Sequence, residues 1–410
     1  MGFASGLPFL LTASTLSIWL TESGISLTAI GLFTLVGTPY NIKFLWAPII
    51  DRVPVPFFTR ILGKRRSWMV MIQVFLTITI IMLGLTDPSK ESEITAFFSI
   101  LVAFFSASQD IVIDAYRIDV LDDDQQGAGA AMTQAGYRLG LLVSGAGALY
   151  LASSLNWSTV YSIMAGLIIV GFIAALMAPV PESDKEKHTL SNNKQWFNET
   201  VINPFVEFFR RNSISITLMI LCFILLYKFG DAFAGVMANP FYIKIGFTKS
   251  QIATVSKIFG VFATLAGVFA GGIMVKKWGV LKSLLYCGIL QMVSNLMFAA
   301  QAEIGPDIRF LFLTIGIENL SGGMGSAAFV AYLSLLCNSA YTGTQYALFT
   351  SFMAFGRTWL SASSGWIAQM TNWPTFFIIS TFLALPGLII LMIMMKYIPI
   401  GVQRGIQNSG

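Results

Sequence analysis

Apolar segments long enough to cross a lipid bilayer recur about a dozen times along this 410-residue chain. A transmembrane helix needs roughly 20 predominantly apolar residues, because its backbone polar groups must be paired within the helix. The predicted spans are residues 2–20, 28–50, 67–86, 94–116, 128–153, 158–179, 213–236, 249–275, 280–300, 308–336, 343–370 and 374–397. The pattern predicts an all-α membrane protein with twelve transmembrane helices.

The composition excludes most soluble classes. Hydrophobic residues make up 55% of the chain and charged residues 11%, whereas a soluble domain carries about 25% charged residues. Too few charges are present to cover several soluble domains, and the hydrophobicity is too high for a disordered chain. The net charge of +5 fits basic loops at a membrane surface, so we expect no nucleic-acid partner.

One long polar stretch, residues 181–212, divides the spans into six and six. We therefore predict an N-terminal six-helix bundle at 1–180, a central cytoplasmic loop at 181–212 and a C-terminal six-helix bundle at 213–410. A weak internal repeat aligns Arg138 with Arg357, an embedded cation in the fifth span of each half. Two related halves of six spans are typical of one large class of secondary transporters.

The Lys and Arg residues indicate the orientation of the chain. With both termini in the cytoplasm, sixteen of these residues lie on the cytoplasmic side and four on the opposite side. Because basic residues concentrate in cytoplasmic loops, we predict that both termini are cytoplasmic. The first apolar run lacks a basic leading region, so we expect a transmembrane helix there and not a cleaved signal peptide.

The residues that usually carry metal or enzyme chemistry are few and scattered. Cys222, Cys287 and Cys337 lie far apart in apolar stretches, and the single histidine, His188, lies in the polar stretch. Neither a disulfide framework nor a metal site is expected from that spacing. The sequence also has no Walker A pattern and no recognisable nucleophile, base and orienting trio. We therefore expect neither an enzyme nor a bound cofactor.

Charges within the predicted spans are the main candidates for function, because a charge in the bilayer is costly. Asp110 and Asp114 are four residues apart and share one helix face. Two carboxylates in an apolar medium cannot both ionise easily, so the pair is a candidate proton carrier. The alternative is a structural ion pair, since Arg117 follows Asp114 by three residues.

Four further positions have a functional and a structural interpretation. Arg138 could bind an anionic substrate group, or it could form a fixed ion pair between helices. Lys228 and Asp231 are three residues apart and could act as a switch, or they could neutralise each other. Glu318, which precedes a glycine-rich stretch, has no obvious local partner, and for it we favour a functional role. The glycines could equally serve close packing.

Several stretches of this chain resemble the AmpG-type muropeptide permeases, a family of the major facilitator superfamily to which acetyl-coenzyme A transporters are more distantly related. The matching stretches, spread over nearly the whole chain, are GFASGLP (2–8), KFLWAP (43–48) with the following Asp51-Arg52, SASQDIVIDA (106–115), GAGAA (127–131), GYRLGLLVSG (136–145), LYKFGDAFA (226–234), Glu318-Asn319-Leu320, GGMGSAAFVA (322–331) and TQYAL (344–348). The resemblance implies the major facilitator fold, with two six-helix bundles around a central cavity.

The resemblance also implies an activity. Proteins of this family are thought to import anhydromuropeptides, the disaccharide-peptide fragments of cell-wall turnover, into the cytoplasm for peptidoglycan recycling. Import crosses the bacterial inner membrane and depends on the proton gradient, so a proton symporter is implied with no cofactor beyond that gradient. In bacteria with inducible β-lactamase, the same import supplies the signal for induction. The implied partners are membrane lipid, protons and a sugar-peptide substrate, and we expect a monomer.

The embedded positions of the polar residues and the resemblance together suggest their roles. For proton coupling we expect Asp110, Asp114, Asp231 and Glu318. For substrate binding we expect Lys43, Gln109, Tyr137, Arg138, Lys228 and Asn319. For gating, through salt bridges of the loop after the second span, we expect Asp51, Arg52, Arg65 and Arg66. That loop could instead be a plain basic anchor at the membrane surface.

Two other functions are compatible with the sequence. The first is transport of another anionic metabolite, such as a nucleotide or an acyl-coenzyme A. The second, from a different class, is a transport-inactive membrane sensor, in which all embedded charges pair with one another.

Overall fold

Helices form all the regular structure of the computed structural model, which describes residues 1–121, 126–180, 213–336 and 342–397. Within those ranges no strand occurs, and the prediction of an all-α protein is confirmed. The central loop predicted at 181–212 lies outside the described residues.

Eight helical stretches are long and apolar enough to cross a membrane, judged by length and composition within the described ranges. They are Gly2–Glu22, Lys64–Leu85, Ser92–Val120, Trp157–Met177, Ile214–Ile245, Lys249–Trp278, Val280–Ile304 and Trp373–Tyr397. Each coincides with a predicted span. The other four predicted spans are helical where they are described, and the total of twelve stays a prediction.

The described residues fall into two compact units. The first contains the described residues up to 180 together with Tyr242–Lys257. Its helices from the first half of the chain are α1 (Gly2–Leu11), α2 (Ser14–Glu22), α3 (Leu27–Leu32), α4 (Thr38–Ile42), α5 (Ala47–Arg52), α6 (Phe58–Leu62), α7 (Lys64–Leu85), α8 (Ser92–Val120), α9 (Gln126–Leu142), α10 (Ala148–Ala152), α11 (Trp157–Leu167) and α12 (Ile169–Met177). A π-helical turn, Val143–Gly147, joins α9 to α10.

The second half of the chain supplies ten helices among the described residues. They are α13 (Ile214–Leu226), α14 (Phe229–Ile245), α15 (Lys249–Ile252), α16 (Gly260–Trp278), α17 (Val280–Ile304), α18 (Ile308–Leu336), α19 (Thr342–Ser361), α20 (Ser364–Met370), α21 (Trp373–Phe382) and α22 (Leu385–Tyr397). The end of α14 and all of α15 belong to the first unit. The other helices form the second unit, and a second π-helical turn, Ala253–Phe259, precedes α16.

The predicted second span, 28–50, is a series of short helical pieces and not one helix. Turns of 3₁₀-helix at Phe33–Gly37 and Lys43–Leu45 separate α3, α4 and α5. Pro39 and Pro48 stand in the first turns of α4 and α5, where a proline is tolerated because its missing N–H would have no helical partner. The interruption places Lys43 at a junction between two helices.

Close contact between α1 and α9 depends on glycine. A Cβ atom at Gly6 would overlap the carbonyl oxygen of Tyr137, and one at Gly140 would lie 2.7 Å from the backbone nitrogen of Leu7. Only residues without a side chain let two helix backbones approach this closely. The glycines of α9 therefore pack against α1, and the backbone of Tyr137 lies directly against Gly6.

In the second unit, an aromatic cluster fixes the junction between α13 and α14. The ring of Tyr227 stacks on that of Phe329 with centroids 5.2 Å apart, and its hydroxyl donates to the carbonyl oxygen of Leu284 at 2.8 Å. Tyr227 is the last residue before Lys228, which precedes the first turn of α14. Buried aromatic packing on three helices therefore sets the position of Lys228.

We expect Gly140→Ala to destabilise the protein by about 1–3 kcal/mol, because the added methyl group forces α1 and α9 apart. Gly166→Ala is the matched control, since a Cβ atom at Gly166 meets nothing within 4 Å. Thermal unfolding of the purified variants in detergent measures the difference. Equal midpoints for the two variants would contradict the close packing of α1 on α9.

Candidate functional site

Asp110 lies at the centre of a polar cluster in the first unit. Its carboxylate accepts a hydrogen bond from the hydroxyl of Ser5 on α1 and lies 3.9 Å from the ammonium of Lys43. The side chain of Asp110 is 17% exposed and that of Lys43 is 37% exposed. Tyr40 and Tyr137 interact electrostatically with the same carboxylate. Three elements distant in sequence thus bring polar groups to one carboxylate.

Asp114 has different surroundings from Asp110, although both lie on α8. Its side chain is 57% exposed and lies 3.9 Å from the guanidinium of Arg117. The ion pair proposed as the structural alternative for Asp114 is therefore present. Asp110 does not share this partner, so the two carboxylates differ in exposure and in counter-charge.

Gln109 is fully buried, unlike most residues of the predicted substrate path. Its amide nitrogen donates to the carbonyl oxygen of Ala4 at 2.7 Å. The hydrogen bond ties α8 to α1 beside Ser5, the residue that bonds to Asp110. Arg138, by contrast, is exposed on α9.

The basic cluster at the start of α7 contacts two other helices. Arg65 donates through Nε to the carboxylate of Asp119 at 2.8 Å, and the two side chains are 11% and 22% exposed. Arg66 donates to the backbone carbonyls of Ala175 and Leu176 near the end of α12. The side chains of Asp51 and Arg52 lie outside the described residues.

Lys228 and Asp231 are held by neutral groups on different helices of the second unit. The ammonium of Lys228 donates to the hydroxyl of Ser326 at 2.7 Å and to the carbonyl oxygen of Gly322 at 3.4 Å. The carboxylate of Asp231 accepts from the side-chain amide of Gln291 on α17. The described ion pairs do not include one between Lys228 and Asp231.

Glu318 and Asn319 form a second polar group of the second unit. The amide of Asn319 donates to the carboxylate of Glu318 at 2.5 Å, and its oxygen accepts from the hydroxyl of Thr264 at 2.8 Å. Glu318 also interacts electrostatically with Lys228. The structure therefore places Lys228, Asp231, Glu318 and Asn319 in one neighbourhood built from α14, α16, α17 and α18.

Glu22 joins the first half of the chain to the segment Tyr242–Lys257 within the first unit. Its carboxylate accepts from the indole N–H of Trp157 at 2.8 Å and lies 3.0 Å from the ammonium of Lys249. That ammonium lies 5.5 Å from the centroid of the Trp157 ring. The sequence pattern gives no reason to select this group, because all three residues lie near predicted span ends, where charges and indoles are common.

Uncharged partners of the candidate site residues were not predicted from the sequence, namely Ser5, Thr264, Gln291 and Ser326. Gln291 carries a usable signal, since a polar amide within an apolar span requires a partner. The hydroxyls carry little signal, because Ser and Thr bond readily to their own helix backbone. Among the described residues, no three His, Cys, Asp or Glu side chains come together as metal ligands do.

Comparison with known proteins gives a consistent result. Residues 1–237 match the model of the Major Facilitator Superfamily. The chain is 41% identical over 395 residues to the anhydromuropeptide permease of Escherichia coli K12, covering 96% of this chain and 78% of that protein. It is 36% identical over 394 residues to a putative transporter, AmpG 4, of Rickettsia conorii, covering 96% and 94%.

Solved structures support the fold. The nucleoside transporter NupG superposes with a TM-score of 0.70 at 14% identity, covering 97% of each chain. The xylose transporter XylE from E. coli superposes with a TM-score of 0.68 at 11% identity, covering 97% of this chain and 95% of that one. The prediction of a major facilitator fold is confirmed.

We expect Asp119→Asn to destabilise the protein by about 1–3 kcal/mol, because the substitution removes the charged acceptor of the buried Arg65 guanidinium. Asp119→Glu keeps the charge, and its loss should be smaller. Asp87→Asn is the control, since Asp87 pairs with Lys90 in an exposed connection and surface pairs contribute little. Thermal midpoints in detergent test this ranking, and a midpoint for Asp119→Asn equal to that of Asp87→Asn would contradict it.

Proposed function

Because this chain belongs to the anhydromuropeptide permease family of the major facilitator superfamily, we propose that it imports anhydromuropeptides across the bacterial inner membrane. Membership of the family makes the protein a multi-pass membrane transporter and not an enzyme. The observation that carries the proposed substrate is the 41% identity to the E. coli anhydromuropeptide permease over 96% of this chain. The inner membrane is the location of import in this proposal, with both termini in the cytoplasm, as the Lys and Arg distribution supports.

Each unit, taken by itself, contains polar groups of the kinds that a sugar-peptide substrate needs. Its hydroxyl and amide groups need donors and acceptors, which Tyr137 and Asn319 supply. Its carboxylates need cations, and Arg138 on α9 is exposed whereas Lys228 is bonded only to neutral groups. Among the described residues Lys228 forms no ion pair with a carboxylate, so its ammonium can still attract a carboxylate of the substrate.

Asp110 is the proposed site of proton coupling. Its carboxylate lies 3.9 Å from the ammonium of Lys43, so its protonation removes the attraction between the two groups. In the proposed cycle, a proton on Asp110 releases Lys43 for a substrate carboxylate, and loss of the proton restores the pair. Asp114, Asp231 and Glu318 are secondary candidates for proton coupling. The proton gradient is the energy source of the cycle.

The basic cluster of α7 is the proposed gating element. Arg65 and Arg66 connect the start of α7 to the ends of α8 and α12, and Asp51 and Arg52 precede them in the same loop. A transporter alternates between conformations that open to opposite sides of the membrane. Contacts of this kind hold helix ends together in one conformation and must break in the other.

A transport-inactive sensor requires that the embedded charges pair with one another. Lys228 and Asp231 do not fit that requirement, because each bonds to an uncharged side chain.

Uptake of labelled anhydromuropeptide by right-side-out membrane vesicles tests the proposed function. We expect uptake that depends on the protein and falls at least tenfold when an agent that collapses the proton gradient is added. Unlabelled anhydromuropeptide should compete, whereas nucleotides and acyl-coenzyme A should not. Competition by either of those metabolites, with no uptake of the sugar-peptide, would overturn the substrate assignment.

We expect Asp110→Asn to abolish proton-driven uptake while the protein remains in the membrane. The amide keeps an oxygen that can accept from Ser5, but it cannot take up and release a proton. Asp87→Asn, the same substitution in an exposed connection, is the control and should transport as the wild type does. Full uptake by Asp110→Asn would exclude Asp110 as the coupling residue.

A further inference from the structure

Gln291 lies beside Asp231 in the interior of the second unit. It is 4% exposed, and its amide nitrogen donates to the Asp231 carboxylate. The amide packs against α18, where Gly325 leaves the space that it fills. A Cβ atom at Gly325 would lie 2.6 Å from Cδ of Gln291 and closer still to its oxygen. The position of this amide is therefore determined by a glycine on one side and a carboxylate on the other.

Lys228 and Asp231 would be expected to pair in the absence of Gln291. They are three residues apart at the start of α14, a separation at which opposite charges meet readily. Their attraction is also stronger in an apolar interior than in water. Instead, Asp231 bonds to α17 and Lys228 bonds to Ser326 and Gly322 of α18. Asp231 and Lys228 still attract each other electrostatically without forming an ion pair, and Arg357 on α19 also interacts with both of them, so the charge of Asp231 is compensated.

We infer that Gln291 is a positioning residue that keeps Asp231 away from Lys228, so that the Lys228 ammonium stays available to a carboxylate group of the transported substrate. The identity of that substrate rests on the proposed function. Gln291 itself does not contact the substrate in this scheme. Gln291 acts by holding the Asp231 carboxylate, and Gly325 acts by leaving space for the Gln291 amide.

The scheme makes a double-substitution experiment informative. Gln291→Leu keeps the size of the side chain but removes the donor, so Asp231 turns to Lys228 and competes with the substrate carboxylate. We expect the Kd for anhydromuropeptide, measured by equilibrium binding to the purified protein, to rise about tenfold. Adding Asp231→Asn removes the competing charge, and the Kd of the double variant should fall back towards the wild-type value. Additive losses in the double variant would indicate a merely structural role for Gln291.

Gln301→Leu is the matched control. Gln301 lies on the same helix, is fully buried, and donates to the carbonyl oxygen of Gly305 at 2.7 Å. The same substitution there costs stability but leaves the Kd unchanged. Gly325→Ala provides an independent route, since the added methyl group displaces the Gln291 amide, and it should raise the Kd as Gln291→Leu does.

A readout without substrate separates this inference from the proposed function. Reductive methylation with formaldehyde, followed by peptide mass spectrometry, reports how reactive the Lys228 amine is. We expect methylation in the wild type, at least threefold less in Gln291→Leu, and recovery in the variant that also carries Asp231→Asn. Equal methylation in all three proteins would overturn the inference. If the methylation pattern is as expected but the protein does not bind anhydromuropeptide, only the proposed substrate is overturned and the role of Gln291 stands.

Discussion

The cost of placing a charge among apolar helices is the constraint on which both units depend. A charged side chain in such surroundings persists only when other groups compensate for the water that it has lost. In the first unit, compensation for Asp110 is direct, through Lys43 and a hydroxyl. In the second unit it is distributed, because Lys228 and Asp231 each bond to a neutral side chain on a neighbouring helix. The same requirement is therefore met in two ways that have different consequences for binding.

The pair in contact, Lys43 and Asp110, and the separated pair, Lys228 and Asp231, suit different tasks. An ammonium and a carboxylate in contact form a unit whose attraction disappears when a proton arrives, which suits coupling. An ammonium held by a hydroxyl and a carbonyl has no carboxylate in contact that an incoming anion must displace. The α1–α9 contact and the aromatic cluster around Tyr227 help to place these groups, mainly through close packing of helices. Rigid packing thus determines where the charges lie, and neutral polar side chains determine what each charge contacts.

Hydropathy alone was sufficient to predict the helical class and the eight long apolar helices that the structure describes. It was not sufficient to predict that the segment 28–50 consists of short helices, because mean hydropathy does not reveal the interruptions near Pro39 and Pro48. The charged residues of the site could be chosen from the sequence, since each is costly in a bilayer. Their partners could not, because Gln291 is separated from Asp231 by 60 positions and Ser326 resembles any serine that bonds to its own helix. The internal repeat did not indicate that Lys43 and Asp110 would lie in contact whereas Lys228 and Asp231 would bond to separate helices.

The π-helical turn at Val143–Gly147 has a consequence for the history of the chain. A π-turn closes its hydrogen bond over one residue more than an α-turn, and it interrupts an otherwise α-helical course. Such a turn forms when a helix accommodates a single inserted residue and continues in the same direction. A relative that lacks the insertion should align with this chain only if a one-residue gap is opened there. In such an alignment Tyr137 and Arg138, which precede the turn, keep their register, whereas the residues after the turn are displaced by one position.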